Sequence, residues 1–223
     1  LKLGSSTGTF CTAASKGAFT FINLADSQAK SEDEAQLSAA TFAKALATVK
    51  NARFISINGD IVDTGMNETQ WNWVLDHAAP SLMQTTFLPA AGNHDEDPES
   101  FIEHFNLPVP AGASTKSGAY YSLDYQGTHF IVLNNNEDSP EWADFSPAQI
   151  AWLKDDVAAA RKRKAEWIVA IMHKGPYTTS NHASDMDMTD PVNGVRTKFA
   201  PLAAELGIDL VFQGHDHIYA RTK

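Results

Sequence analysis

The sequence predicts an α/β fold, and three observations support this. Two short apolar runs of strand length, 19–24 and 54–57, are separated by one helix-like segment in this 223-residue chain, and strands joined in this way form a parallel pair. The alternation of apolar runs and longer amphipathic segments then repeats along the chain. Gln126-Gly127 between two further apolar runs predicts an antiparallel hairpin. We therefore expect a layered α/β sandwich with helices outside the sheets.

The predicted helices carry the signals that start and end helices. Ser31 precedes three acidic residues, which gives an N-cap and a first turn suited to the helix dipole. Ser146 is a second N-cap candidate, because it precedes Pro147, a residue common in the first turn of a helix. The helix that follows ends in basic residues, which suit the helix dipole. The predicted helices are 31–50, 68–79, 98–105, 146–164 and 195–206, the last with a break at Pro201.

Five predicted strands end in polar residues that could bind metal. The strands with their following residues are 19–24 with Asp26, 54–57 with Asp60, 87–90 with Asn93, 167–172 with His173, and 208–212 with His215 and His217. Because parallel strands end at the same sheet edge, Asp26 and Asp60 should be neighbours, and two carboxylates repel unless a cation or proton lies between them. Carboxylates mixed with imidazoles suit zinc, manganese or iron and would be unusual for calcium.

Composition and charge limit the partners of the protein. Hydrophobic residues make up 43% of the chain, a fraction typical of globular proteins. The sequence contains no apolar run long enough to span a bilayer. Its net charge of −10, with no long basic run, argues against nucleic acid as the main partner. The same charge repels a phosphorylated substrate, so a site for one needs local positive charge, which metal ions would supply.

The strand-end motifs resemble those of the calcineurin-like metallophosphoesterase superfamily, and within it the purple acid phosphatases. The matching motifs are Asp26-x-Gln28, Gly59-Asp60, Gly92-Asn93-His94-Asp95, Met172-His173 and Gly214-His215-x-His217. The last motif continues to Tyr219 and Arg221, which resembles the Gly-His-x-His-x-Tyr-x-Arg ending of the purple enzymes. The resemblance implies two mixed β-sheets flanked by helices and a site for two metal ions, with iron, zinc and manganese as the alternatives.

The resemblance also implies a role for each site residue. It assigns Asp26, Asp60 and His217 to the first metal, and Asp60, Asn93, His173 and His215 to the second. His94 would act near the leaving group, oriented by Asp95, and His182 would lie on the substrate side. Gln28 stands where the superfamily usually has histidine, and Asp63 where the purple enzymes have a tyrosine ligand. Each of these two is predicted to be either a metal ligand or a supporting residue.

The function implied by the resemblance is hydrolysis of phosphate monoesters by a hydroxide that bridges the two metals. A metal-bound water can have its pKa lowered to about 7, so such a nucleophile forms near neutral pH without a covalent intermediate. Two alternatives stay open. One is phosphodiester or nucleotide hydrolysis at the same site, and the other is a non-catalytic binding module that kept the fold.

Two regions are predicted along the chain. Residues 1–16 resemble the last strands of a fibronectin-like domain with its linker, so we expect a remnant of such a β-rich domain there. Residues 17–223 are the expected metallophosphoesterase catalytic domain, truncated at its C-terminus because family members continue past the last motif. The resemblance of 1–16 favours a secreted or cell-surface protein, with a cytoplasmic one as the alternative. The sequence leaves the oligomeric state open.

Overall fold

The structure, a computed structural model, describes residues 7–9, 12–14, 16–95, 100–137, 145–185, 189–191 and 194–222. Strands and helices alternate through most of this part of the chain. Its strands are β1 (Thr20–Leu24), β2 (Ala52–Asn58), β3 (Thr86–Ala90), β4 (Tyr121–Tyr125), β5 (Thr128–Val132), β6 (Trp167–Ile171) and β7 (Leu210–Phe212). Its helices are α1 (Glu32–Thr48), α2 (Glu68–Leu82), α3 (Ser100–His104), α4 (Pro147–Lys162) and α5 (Val195–Leu206), and Asn181–Ser184 form a 3-10 turn.

The strands form two sheets. The first has the order β1-β2-β3, and its described strands are all parallel. The second has the order β4-β5-β6-β7 and is mixed, because β4 runs antiparallel to β5 whereas the other neighbours are parallel. The predicted β-α-β unit and the predicted hairpin are both confirmed. Gln126 and Gly127 both have positive φ, 47° and 85°, as a two-residue type I′ turn requires.

The two sheets pack against each other through aromatic side chains. The Phe21 ring on β1 stacks on Phe54 of β2 at 4.9 Å and meets Phe130 of β5 edge-on at 5.4 Å. Along β5, Phe130 belongs to the core between the sheets, whereas the next residue, Ile131, packs with α4 and α5. The helices α1 and α2 contribute Phe42 and other residues to the core on the side of the first sheet. The predicted sandwich with helices outside is thus confirmed.

Side-chain caps start the helices at the predicted residues. The Ser31 hydroxyl accepts a hydrogen bond from the N–H of Glu34, and the Ser146 hydroxyl accepts one from Gln149. The predicted break at Pro201 is wrong, because α5 continues through it. Proline removes only one helical hydrogen bond, and the buried side chains of α5, such as Phe199, keep the helix packed on the second sheet.

The regions near the N-terminus and around residue 98 are only partly described. Of the predicted remnant over 1–16, the described residues 7–9, 12–14 and 16 contain no strand or helix, and the Thr9 N–H donates to the Met83 carbonyl at 2.9 Å. The remnant of a β-rich domain stays a prediction. The predicted start of a helix at residue 98 lies outside the described residues. None of the described helices combines the length and the apolar character needed to cross a membrane.

A buried histidine joins the hairpin to α4. The His129 ring on β5 lies between two carboxylates, with Nδ1 2.6 Å from Asp124 and Nε2 2.7 Å from Asp156. Arg163 at the end of α4 binds the same Asp124 carboxylate with two hydrogen bonds. Burial would lower the pKa of His129, but the hydrogen bonds to Asp156 and Asp124 outweigh it and raise the pKa above its ordinary value. The charged form of His129 therefore stabilises the fold.

We expect His129→Gln to remove a pH-dependent part of the stability. Because the folded pKa is raised, the contribution of the imidazolium is complete below the unfolded pKa of about 6.5 and is lost as the pH rises through the folded pKa. At about pH 6 the variant should lose on the order of 3 kcal/mol, since removal of the cation leaves the largely buried Asp156 carboxylate without a partner, whereas Asp124 keeps Arg163. Urea unfolding of both proteins at about pH 6 and about pH 9 measures this. A stability difference that is equal at both pH values would contradict it.

Candidate metal centre

The candidate metal centre lies where the carboxyl ends of strands from both sheets meet. Among the described residues, one ligand atom each of Asp60, His173 and His215 lies within 4.8 Å of the other two. These three residues come from the loops after β2, β6 and β7, and Asp60 and His173 are buried. The structure therefore holds a group of side chains with the composition and spacing of a metal site.

The backbone orients the His173 ring toward the other candidate ligands. Nδ1 lies 2.7 Å from the Asn58 carbonyl oxygen and donates its proton there, so Nε2 is left to face the centre. Nε2 lies 3.0 Å from Oδ2 of Asp60 and 3.1 Å from Oδ1 of Asn93. Since both oxygens are acceptors, a proton or a cation has to lie among these atoms. The combination of carboxylate, amide oxygen and imidazole fits a cation such as zinc, manganese or iron.

Burial and mutual contact set the protonation of this group. Burial would raise the pKa of Asp60, but the hydrogen bond and charge of His173 outweigh it and hold that pKa below its ordinary value. Burial, together with the positive charges of His173 and Lys174, lowers the pKa of His215 to about 4. His215 is therefore a neutral imidazole at neutral pH, which is the form that binds metal.

Asp26 and His217 lie beside this group. Oδ1 of Asp26 accepts a hydrogen bond from the backbone N–H of His215 at 2.8 Å and lies 3.7 Å from Nε2 of His217. Burial raises the pKa of Asp26 above its ordinary value, although the charge of His173 opposes the rise. Asp26 thus connects the first motif of the chain to the last one.

The backbone is strained at the candidate ligands. A non-glycine residue with a left-handed backbone costs about 1–3 kcal/mol and persists only where the surrounding structure enforces it. Gln126 and Lys164 are the described cases at turns away from the site. The described cases in the site are Asp26 with φ 56°, Gln28 with φ 42°, Asp60 with φ 52°, His215 with φ 75° and His217 with φ 46°. Strain concentrated in this way indicates that the loops are held for function rather than for stability.

Two glycines let the loops approach closely. A Cβ atom on Gly59 would lie 2.5 Å from Nδ1 of His173, and one on Gly92 would lie 2.1 Å from Oδ1 of Asp60. Both distances are far below van der Waals contact. The glycine in each motif is therefore required by the space that the candidate ligands occupy.

The two positions that depart from the family pattern lie at the edge of the centre. Gln28 lines a cleft of about 540 Å³ together with Asp60 and His217, and its N–H donates to the Asp60 carbonyl at 2.7 Å. The carbonyl oxygen of Asp63 accepts from Nδ1 of His94 at 2.9 Å, and its carboxylate lies 3.8 Å from the same atom. Asp63 therefore contacts His94, and metal binding by Gln28 or Asp63 stays a prediction.

Asp95 and His94 have different hydrogen-bond partners in the described residues, so the orientation of His94 by Asp95 stays a prediction. The fully buried Asp95 carboxylate accepts hydrogen bonds from the N–H groups of Ile61, Val62 and Gly92 at 2.8, 3.0 and 2.9 Å. Burial and the charge of Asp60 raise the pKa of Asp95 to about 7. Asp95 faces the backbone because it joins the loop after β2 to the loop after β3, and His94 is instead held by the Asp63 carbonyl.

The predicted substrate-side histidine lies next to the centre. The His182 ring is 4.3 Å from the His215 ring, centroid to centroid, and both line the same cleft. Nδ1 of His182 is 2.6 Å from the Asp185 carboxylate, which fixes the orientation of the ring. Ser180 at the start of this turn donates its hydroxyl proton to Asp216, so the turn is tied to the last motif.

Sequence reasoning missed Asn58 as a site residue. Its carbonyl oxygen fixes the His173 ring, and its side-chain amide donates to the Gln213 carbonyl at 3.0 Å. The available signal in the sequence was an asparagine at the end of an apolar run, directly before Gly59-Asp60.

Comparisons with known proteins agree with the geometry. The family model described as calcineurin-like phosphoesterase matches residues 20–219. Purple acid phosphatase 18 of Arabidopsis thaliana is 26% identical over 74% of this chain. The match spans 37% of that relative's length. Purple acid phosphatase PPD1 from yellow lupin (Lupinus luteus) seeds superposes with a TM-score of 0.68 at 15% identity, over 91% of this chain and 39% of that one.

A second solved structure with the same fold is GAP50 of Plasmodium, described as the anchor in the inner membrane complex. It has a TM-score of 0.58 at 17% identity, over 88% of this chain and 65% of that one. At such identities the two structures show the fold alone, whereas the family model covers most of the chain. The chain therefore belongs to the calcineurin-like phosphoesterase family, and its relatives include purple acid phosphatases.

Proposed function

We propose that this chain is the catalytic part of a phosphatase that uses two metal ions to hydrolyse phosphate monoesters. The observation that carries the proposal is the convergence of Asp60, His173 and His215 within 4.8 Å, at a point where loops of both sheets meet. Family membership supports phosphoester hydrolysis, and the purple acid phosphatase relatives favour monoesters.

The proposed ligands divide between two metal positions that share Asp60. Asp26 and His217 belong to the first position, where Gln28 is the further candidate. Asn93, His173 and His215 belong to the second. Two bound cations would supply the positive charge that lowers the pKa of a water to about 7 and that neutralises phosphoryl oxygens. The metal identity stays open among iron, zinc and manganese.

The cleft beside the centre fits a small phosphorylated substrate. Its volume of about 540 Å³ lies within the range of about 300–1,000 Å³ that small-molecule sites occupy. His94 and His182 both line this cleft next to Asp60 and His215. The ring of each is held at Nδ1, by the Asp63 carbonyl and the Asp185 carboxylate, so Nε2 is the atom available to a substrate. We assign these two histidines to proton donation toward the leaving oxygen.

Asp95 has a supporting part in this proposal. Within the described part of the chain its carboxylate binds backbone N–H groups, and its three hydrogen bonds fix the loops that carry Asp60 and Asn93. Secretion or attachment to a cell surface stays a proposal that rests on the resemblance of residues 1–16.

Hydrolysis of p-nitrophenyl phosphate and of its bis-ester tests the proposal. We expect the protein, after reconstitution with manganese, zinc or iron, to hydrolyse the monoester faster than the diester. Activity on the diester alone would support the phosphodiesterase alternative and contradict the monoester assignment. Absence of turnover with a full complement of metal would support a non-catalytic role, as the fold of an anchor protein such as GAP50 allows.

A further inference from the structure

The candidate metal centre depends on the separation of the two sheets. Asp26, Asp60 and Asn93 follow strands of the first sheet, whereas His173, His215 and His217 follow strands of the second. A cation bound by both sets therefore needs the two sheet edges to be held at a fixed distance. Metal ligands tolerate deviations of only a few tenths of an ångström.

One buried amide crosses from the first sheet to the second. Asn58 is the last residue of β2 and is fully buried. Its Nδ2 donates to the Gln213 carbonyl at 3.0 Å, directly before the loop with His215, and its own carbonyl accepts from His173. Asn58 thus bonds to both loops through which the second sheet reaches the centre.

A second buried amide crosses in the opposite direction. Asn136 follows β5 of the second sheet and is 3% exposed. Its Nδ2 donates to the Ala91 carbonyl at 3.2 Å, two residues before Asn93 in the first sheet's loop. The backbone N–H of Asn136 is in turn held by the side chain of Asn134 at 3.1 Å. The two bridges lie on the loops of β2, β3, β5 and β7.

Each of the two amides lowers the stability of the folded state through its side-chain oxygen. Within the described residues, Oδ1 of Asn58 and Oδ1 of Asn136 are buried without a hydrogen-bond partner. Rotating either amide by half a turn would place its oxygen against a carbonyl oxygen, so the donated bond fixes the orientation. A buried acceptor without a partner destabilises the fold, and each amide would therefore be a poor choice for stability alone.

We propose that Asn58 and Asn136 are positioning residues that set the distance between the two halves of the metal centre. This inference rests on the proposed function, because it requires that the centre binds metal. Each side chain acts through a backbone carbonyl next to a candidate ligand and contacts no substrate. Supporting residues of this kind typically change metal affinity by about 10–100-fold when they are replaced.

The test compares zinc binding by Asn58→Ala, Asn136→Ala and a control, Ser56→Ala. Ser56 is fully buried on β2, two residues before Asn58, and its hydroxyl bonds to Asn23 at 2.8 Å within the first sheet. Calorimetric titration of Zn²⁺ into chelator-treated protein gives the dissociation constant, and urea unfolding in the presence of chelator gives the stability. We expect both asparagine variants to bind zinc about 10–100-fold more weakly, and Ser56→Ala to stay within about threefold of wild type.

The possible results separate the inference from the proposed function. Wild-type affinity in both asparagine variants, or an equal loss in Ser56→Ala, would overturn the positioning role. A wild-type protein that takes up none of zinc, manganese and iron would overturn the proposed function itself. If an alanine variant does not fold, Asn58→Ser or Asn136→Ser replaces it, since the shorter hydroxyl side chain stays polar but does not reach the opposite carbonyl.

Discussion

Asp60→Asn should abolish hydrolysis and metal binding while the protein stays folded. The Asp60 side chain is almost fully buried, with Oδ1 accepting the His94 N–H at 2.9 Å and Oδ2 lying 3.0 Å from Nε2 of His173. Asparagine keeps the shape of the side chain but replaces one carboxylate oxygen by an NH₂ group. That group would face either the N–H of His94 or the position of the cation beside His173, and it can bind neither. Because both proposed metal positions share Asp60, we expect a loss of activity on the order of 10³-fold or more.

The matched control for this prediction is Asp63→Asn, the same change three residues along the chain. The Asp63 side chain is 35% exposed and lies 3.8 Å from His94, and the contact that holds His94 uses the Asp63 backbone. Loss of the Asp63 charge should therefore reduce activity less than about tenfold, since exposed ion pairs contribute about 0–1 kcal/mol. Turnover of p-nitrophenyl phosphate and elemental analysis after reconstitution compare the two variants. Equal losses of metal would show that Asp63 is a ligand and contradict the division of roles.

Most of the fold could be predicted because local signals and global packing agree. β2 is buried along most of its length and reads in the sequence as a continuous apolar run, as a central parallel strand requires. The caps at Ser31 and Ser146 are local contacts that sequence patterns report directly. Pro201 was misjudged because the rule against proline inside a helix ignores the packing of α5, which is a tertiary effect.

The site was predictable where motifs end strands and not where contacts cross between sheets. The strand ends of Asp60, His173 and His215 follow from the β-α-β order, so their convergence could be expected. The position of Asp95 next to His94 in the sequence suggested that Asp95 orients His94. Neighbouring side chains can point to opposite sides of a loop, however, and these two have different hydrogen-bond partners. The cross-sheet bonds of Asn58 and Asn136 join residues far apart in the chain, and no local pattern reports such pairs.

Gly92→Ala should release metal because the new methyl group occupies the space of Asp60. The Cβ atom would lie 2.1 Å from Oδ1 and 2.3 Å from the backbone nitrogen of Asp60. A side-chain rotation cannot relieve both clashes, since one of the atoms belongs to the backbone. The loop after β2 has to move, and overpacking of this kind costs about 1–3 kcal/mol. Zinc titration and thermal unfolding of the chelator-treated protein should both show a loss.

Gly112→Ala separates the displacement of Asp60 from a general loss of stability. Gly112 has a positive φ of 82°, and a Cβ atom there would meet no atom within 4 Å. Alanine at Gly112 should therefore cost about 1–2 kcal/mol through backbone strain alone and leave zinc affinity unchanged. Comparable destabilisation in the two variants, with zinc affinity lost only in Gly92→Ala, is the expected pattern. Zinc binding retained in Gly92→Ala would mean that Asp60 can move without loss of the centre, which would contradict its proposed place as the ligand shared by both metals.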